Sequence, residues 1–139
     1  MKLRVVWVGK TKNPQMAELC RDYLRRIKHF LPTEIAEVKE AKISEAFDTS
    51  DCTVALDPKG RTWTSSEFAK WMEQRMTSDP RRLTFFIGDY AGLPEGIKTR
   101  ADVLWSFSPL TFTHDLTRVL LLEQLYRALS IIKNFPYSK

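Results

Sequence analysis

Three stretches of this 139-residue chain join an apolar, β-type run to a loop of small and polar residues. Cys52–Leu56 (CTVAL) runs into Asp57-Pro58-Lys59-Gly60. Leu83–Ile87 (LTFFI) runs into Gly88-Asp89-Tyr90-Ala91-Gly92, and Val103–Phe107 (VLWSF) runs into Ser108–Thr113 (SPLTFT). Loops that follow buried parallel strands are where α/β proteins bind ligands. Glycines let the backbone approach a ligand closely, and loop amides and carbonyls can read the edge of an adenine. All three loops would lie at one sheet edge and could line a single pocket. Taken alone, Gly88 and Gly92 are most simply read as a turn.

Familiar nucleotide motifs are missing. The GDYAG loop has no following Lys-Ser/Thr and so is not a P-loop, and neither it nor Gly9–Asn13 matches the dinucleotide fingerprint GxGxxG. No Ser/His/Asp or Cys/His nucleophile pattern is readable, and the acids show no metal-ligand spacing. His29 ends a helix and reads as structural or exposed; His114 reads as a cap of the last helix. Cys20 and Cys52 belong to no CxxC or Cys/His cluster, which points to reduced thiols rather than a disulfide or zinc site.

The elements that must position these loops follow from periodicity. Leu3–Val8 reads as a first strand, Glu34–Val38 as a second, and the three runs above as the third, fourth and fifth. Pro14 suits a first helical turn. Met16, Leu19, Cys20, Tyr23, Leu24 and Ile27 then recur at helical spacing, with Arg21, Arg25, Arg26 and Lys28 on the polar side. A short helix is expected over 41–47. Thr64 or Ser65 caps a helix carrying Phe68, Trp71, Met72 and Met76, which Asp79-Pro80 ends. Asp57–Gly60 reads as a turn, 94–101 as a short helix, and Asp115 to about Ile132 as a long one. Alternating strands and helices predict an α/β fold: a mostly parallel sheet flanked by helices, in a single domain spanning 1–139.

The long helix is apolar on two sides. Leu121, Leu122, Leu125, Leu129 and Ile132 cover one; Leu116, Val119, Glu123, Tyr126 and Arg127 lie on the other. Either the second side packs on a second subunit and buries a costly Glu123–Arg127 pair, or those two residues mark the solvent edge.

The net charge of +5 is unevenly placed. Residues 1–28 hold eight Lys/Arg against two acids, whereas the rest holds 14 basic and 15 acidic residues. Such an excess suits a polyanion, above all RNA or DNA; a solvated face is the plainer reading. No stretch approaches the ~20 apolar residues of a membrane span, so a cytoplasmic protein without membrane or metal partners is expected.

Three segments together carry a family resemblance: LDPKG after strand three, IGDYAGL after strand four, and WSFSPLTFTHDLTRVLLLEQLYRALSI leading to NFPY. With MKLRVVWVGK and RDYLRRI, the chain resembles, over its whole length, the ribosomal large-subunit methyltransferase H family. Only the region 40–55 is shorter than usual. Members are SPOUT-class enzymes that methylate N3 of a pseudouridine in 23S rRNA of the ribosome. The resemblance implies a deep trefoil knot near the C-terminus and a homodimer joined largely through the last helix, with both subunits in the active site. It also implies S-adenosylmethionine held by Leu56, by Gly88 with Asp89, and by Phe107, Ser108, Pro109, Leu110, Thr111 and Phe112.

The chain departs from the family pattern at three places. The family loop has two glycines followed by Pro-Glu-Gly, where this chain has Gly88-Asp89-Tyr90-Ala91 and then Gly92. The family's His-Pro pair reads His114-Asp115. The tail Asn-His-Pro-Tyr-His reads Asn134-Phe135-Pro136-Tyr137-Ser138. Asp89 would either crowd the cofactor or hold its ribose or its cationic part. Arg118 and Arg127 are the candidates to stabilise charge on the target base, with Asn134 and Tyr137 positioning it. The N3 proton would pass to Tyr137, Asp115 or water. The alternative is a non-catalytic paralogue that binds RNA or the ribosome, or senses the cofactor.

Overall fold

The computed structural model describes residues 1–137; the tail residue Ser138 lies outside them. Five strands form one sheet in the order β2-β1-β4-β3-β5, and every pairing is parallel. The strands are β1 (Leu3–Val8), β2 (Thr33–Val38), β3 (Cys52–Arg61), β4 (Leu83–Phe86) and β5 (Val103–Trp105). The helices are α1 (Pro14–Ile27), α2 (Ser65–Ser78), α3 (Glu95–Arg100) and α4 (His114–Ile132), with a 3₁₀ segment at Glu40–Ala46.

Side-chain alternation along the strands splits the core into two layers. Val5, Val54 and Phe85 face α1, α2 and α4, together with Leu121, Leu122, Leu125 and Leu129. Their neighbours Val6, Ala55 and Phe86 face the other way, onto Ile43 of the 3₁₀ segment and Ile97 of α3. Helices on both faces of a parallel sheet explain why β4 is buried at every position. Local chemistry sets the helix starts. Asn13 caps α1 by accepting from the Met16 N–H at 3.0 Å, and Thr64 with Glu67 forms a capping box on α2.

Two sequence expectations need correction. Asp57–Gly60 is not a turn that ends the third strand. Leu56 and Arg61 both pair with Trp105, so residues 57–60 bulge out of a longer β3. Composition reads the four residues as a turn; the distant partner β5 resumes the pairing beyond them. A Cβ at Gly60 would stand 2.5 Å from the Leu104 carbonyl carbon, so only glycine fits there. Arg4, counted above in the basic excess, is buried rather than displayed.

At the amino end of the sheet, Asp51 is 5% exposed and accepts from Arg82 at 3.1 and 3.0 Å, from Thr84 at 2.9 Å and from Arg4 at 3.3 Å. Arg4 also donates to the Ala46 carbonyl at 2.6 Å. Both cysteines are free and buried, and burial pushes the Cys20 thiol up to about 11.

Candidate functional site

At the opposite, carboxyl end, the three loops meet. They line a half-open cavity of about 210 Å³. Leu56, Gly88, Asp89, Phe107, Ser108, Leu110, Thr111 and Phe112 all contribute to its wall, as do Ile87, Trp105, His114 and Thr117. Of the nine residues expected there from the sequence, only Pro109 is not among the lining residues. Parallel topology alone brings these segments together, because all five strands end at this edge.

Each loop has a local reason for its shape. A Cβ on Gly88 would stand 2.7 Å from backbone atoms of both Gly92 and Leu93, so the chain folds back on itself only with glycine there. Gly92 has φ +83°, a left-handed value that glycine adopts at little cost, and its N–H donates to the Asp89 carbonyl at 2.7 Å. After β5, the Ser106 N–H donates to the Arg61 carbonyl at 2.8 Å. The Ser106 hydroxyl donates to the Ser108 carbonyl at 3.1 Å, and the Leu110 N–H donates to the Ser108 hydroxyl at 2.9 Å. The indole Nε1 of Trp105 is buried with no hydrogen-bond partner among the described residues, as are Nε of Arg75 and Nε of Arg118.

Asp89 does not fill the cavity as a bare carboxylate. Its Oδ1 lies 3.3 Å from Nδ1 of His114 and accepts from the Tyr90 N–H at 2.9 Å. Tyr90 itself is 89% exposed and lies nearly parallel to the His114 ring, centroids 6.2 Å apart. Sequence reading gave His114 only a capping role. Thr113 performs the cap, accepting from the Leu116 N–H at 3.2 Å, which frees the imidazole to line the cavity.

The four residues expected from the sequence to be catalytic divide into two groups. Arg118 is 5% exposed and turns away from the loops. It donates to the carbonyls of Val8 at 2.6 Å and Gly9 at 3.3 Å, and to the Thr11 hydroxyl at 3.1 Å. Its guanidinium lies 4.7 Å from the Trp7 ring centroid, and burial lowers its pKa. Asp115, one turn earlier, accepts from the backbone N–H groups of Lys12 at 3.1 Å and Asn13 at 2.8 Å. Together they fix the basic loop 9–13 to the start of α4.

Arg127, Asn134 and Tyr137 gather instead in a second hollow, of about 630 Å³, at the far end of α4. Glu123 Oε2 accepts from Arg127 Nη2 at 2.7 Å and from the Tyr137 hydroxyl at 2.9 Å. The Glu123–Arg127 pair is only partly exposed. Burial, then hydrogen bonding to Tyr23 and Glu123, pushes the Tyr137 phenol well above its usual range. Asn134 has φ +55° and ends α4: its N–H and that of Phe135 return to Ile131 and Ser130, a Schellman closure. Both apolar sides of α4 are covered within one chain, since Val119 and Tyr126 are buried among α1 side chains and the sheet.

Lys10, Lys12, Arg21, Arg25, Arg26 and Lys28 are exposed along the first loop and α1, with Arg25 and Arg26 partly committed to Asp22. Among the described residues, no cluster of His, Cys, Asp or Glu could hold a metal ion, and no helix is long and apolar enough to cross a membrane.

A parallel sheet with its cavity at this edge fits a class of small α/β transferases, and comparison with known proteins agrees. The family model described as "Predicted SPOUT methyltransferase" matches residues 1–138, and the chain belongs to that family. It is 40% identical over 139 residues to the Coprothermobacter proteolyticus protein named "Ribosomal RNA large subunit methyltransferase H", covering 100% of both chains. It is 38% identical over 151 residues to the protein of the same name from Geobacter metallireducens, covering 99% of this chain and 98% of the other. The fold resembles the solved structure of "a probable methylase family protein" from Haemophilus influenzae, with TM-score 0.64 at 12% identity, covering 99% of this chain and 70% of that one.

Proposed function

We propose that this protein methylates N3 of a pseudouridine in 23S rRNA, using S-adenosylmethionine, and works as a homodimer. The observation that carries the reading is the convergence of the loops after β3, β4 and β5 on one cavity, in a chain so similar to proteins named for rRNA methylation. The residues present suit the cofactor. Leu56, Ile87, Phe107 and Phe112 offer apolar walls for an adenine, and Ser106 and Ser108 offer polar groups. The cavity is smaller than the ~300 Å³ lower bound of common ligand pockets. It therefore takes part of the cofactor and leaves the rest at its open mouth. Ser106 bonded to Arg61, and Gly60 pressed against β5, support the close chain crossing that a trefoil knot requires.

When bound, S-adenosylmethionine supplies an electrophilic methyl on a sulfonium sulfur. The protein must align the imide nitrogen with that methyl, receive its proton and stabilise the anion. Arg127, with its charge secured by Glu123, is the residue for the anion; Asn134 and Tyr137 beside it hold the base. His114 and Arg127 are 13 residues apart on one helix, roughly 20 Å at 1.5 Å per residue. The cofactor wall of one chain and the tail group of the same chain cannot meet, which supports a site completed by a second copy. Arg118 is a positioning residue in this reading: it holds the loop bearing Lys10 and Lys12, whose charges grip rRNA phosphates.

The test is calorimetric titration with S-adenosylhomocysteine, followed by methyl transfer to unmethylated ribosomes. Saturable one-to-one binding per chain and methyl incorporation are expected, with Arg127→Ala reducing transfer by about 10²-fold or more. Ribosome binding without cofactor binding or transfer would replace this reading with the non-catalytic one.

A further inference from the structure

We propose that His114 is the general base for the target nitrogen, oriented by Asp89. The inference rests on the methyltransferase reading above and names the proton acceptor that reading requires. The other acceptors are committed. Tyr137 already donates its proton to Glu123 at 2.9 Å. Asp115 has both oxygens on the loop amides of Lys12 and Asn13. The titratable side chains on the cavity wall are Asp57, Asp89, Tyr90 and His114. Asp57 accepts from the Lys59 N–H at 3.2 Å and lies 3.9 Å from the Lys98 ammonium. Among the described residues, His114 is the only imidazole at the cavity. Its Nδ1 faces Asp89 at 3.3 Å, which leaves Nε2 on the other side of the ring as the acceptor.

The 3.3 Å approach of Asp89 to Nδ1 is an ion-pair distance rather than an aligned hydrogen bond. Catalytic contacts of this kind commonly tighten only when substrate is bound. Once that contact tightens and Nδ1–H donates to Asp89, the ring is held in the tautomer whose Nε2 has a free lone pair. The balance of the step is simple. The N3–H proton of the uracil-type base passes to Nε2. The N3 electron pair forms the N–C bond to the methyl carbon, the C–S bond breaks, and its pair stays on sulfur as a neutral thioether. The imidazolium then releases its proton to water. Asp89, absent from the two-glycine loop pattern this chain otherwise resembles, thus acquires a role.

Three measurements on the full-length protein test this: kcat and KM with unmethylated ribosomes, affinity for S-adenosylhomocysteine, and the His114 ring tautomer by long-range ¹H–¹⁵N NMR. His114→Gln is expected to lower kcat by about 10²-fold while S-adenosylhomocysteine affinity stays within about threefold, a change of less than ~0.7 kcal/mol on the 1.4 kcal/mol-per-tenfold scale. Its residual rate should rise with pH as the imide ionises unaided. Asp89→Asn should lower kcat less, and the ring should lose its Nδ1–H preference. An active wild type whose kcat is unchanged by His114→Gln overturns the inference and leaves the proposed function standing. A wild type that transfers no methyl removes both. Should His114→Gln fail to fold, an Nε2–H tautomer in the wild-type ring, or an Asp89→Asn variant with unchanged kcat and tautomer, overturns it alone.

Discussion

The two ends of the one sheet treat charge in opposite ways. At the amino end Asp51 is surrounded by Arg4, Arg82 and Thr84, and both its oxygens are used. At the carboxyl end Asp89 touches a histidine at the edge of a cavity. The same carboxylate chemistry closes one end and leaves the other open to a ligand. A buried ion network whose members are all satisfied specifies structure; a half-exposed pair at the rim of a hollow is open to a ligand.

The comparison can be broken most sharply at Asp51. Asp51→Ala leaves two guanidinium groups without their carboxylate and should cost about 3 kcal/mol or more in urea unfolding, while S-adenosylhomocysteine affinity of the folded protein is unchanged. A loss below about 1 kcal/mol would mean the amino end is no lock. The complementary change is Gly88→Ala. Its Cβ has no room against Gly92 and Leu93, so the loop must move. Stability should fall by about 1–3 kcal/mol and S-adenosylhomocysteine affinity by more than tenfold, read by calorimetry. Asp115→Ala, at the carboxyl end but not among the cavity-lining residues, should have the smallest effect. It frees the amides of Lys12 and Asn13 at a cost of about 1 kcal/mol. It should raise the KM for ribosomes and leave S-adenosylhomocysteine binding alone; hydrogen exchange at residues 10–13 should quicken.

Much of this arrangement is legible in the sequence. Apolar runs located the five strands, all but β3 to within a few residues, Thr64 and Pro14 marked helix starts, and the three loops were identifiable because small residues follow buried strands. What stayed hidden depends on partners far along the chain. The bulge at 57–60 requires β5 to pair on both sides of it. Asp89 and His114 are 25 positions apart and meet only because the loop after β4 lies beside the start of α4. Arg4 looks like a member of a basic surface and Arg118 like a catalytic arginine, yet each is buried by carboxylates or carbonyls contributed from other elements. The two sides of α4 were visible, but the sequence could not say that α1 covers one of them.

The bulge also offers a practical handle. Position 60 admits only glycine, yet Pro58 and Lys59 beside it are exposed, and Pro58 stands on the rim of the cavity. A fluorophore attached through Lys59→Cys would sit at the cavity mouth on a segment pinned at both ends to Trp105. It could report ligand entry as a change in emission, without a ribosome and without turnover.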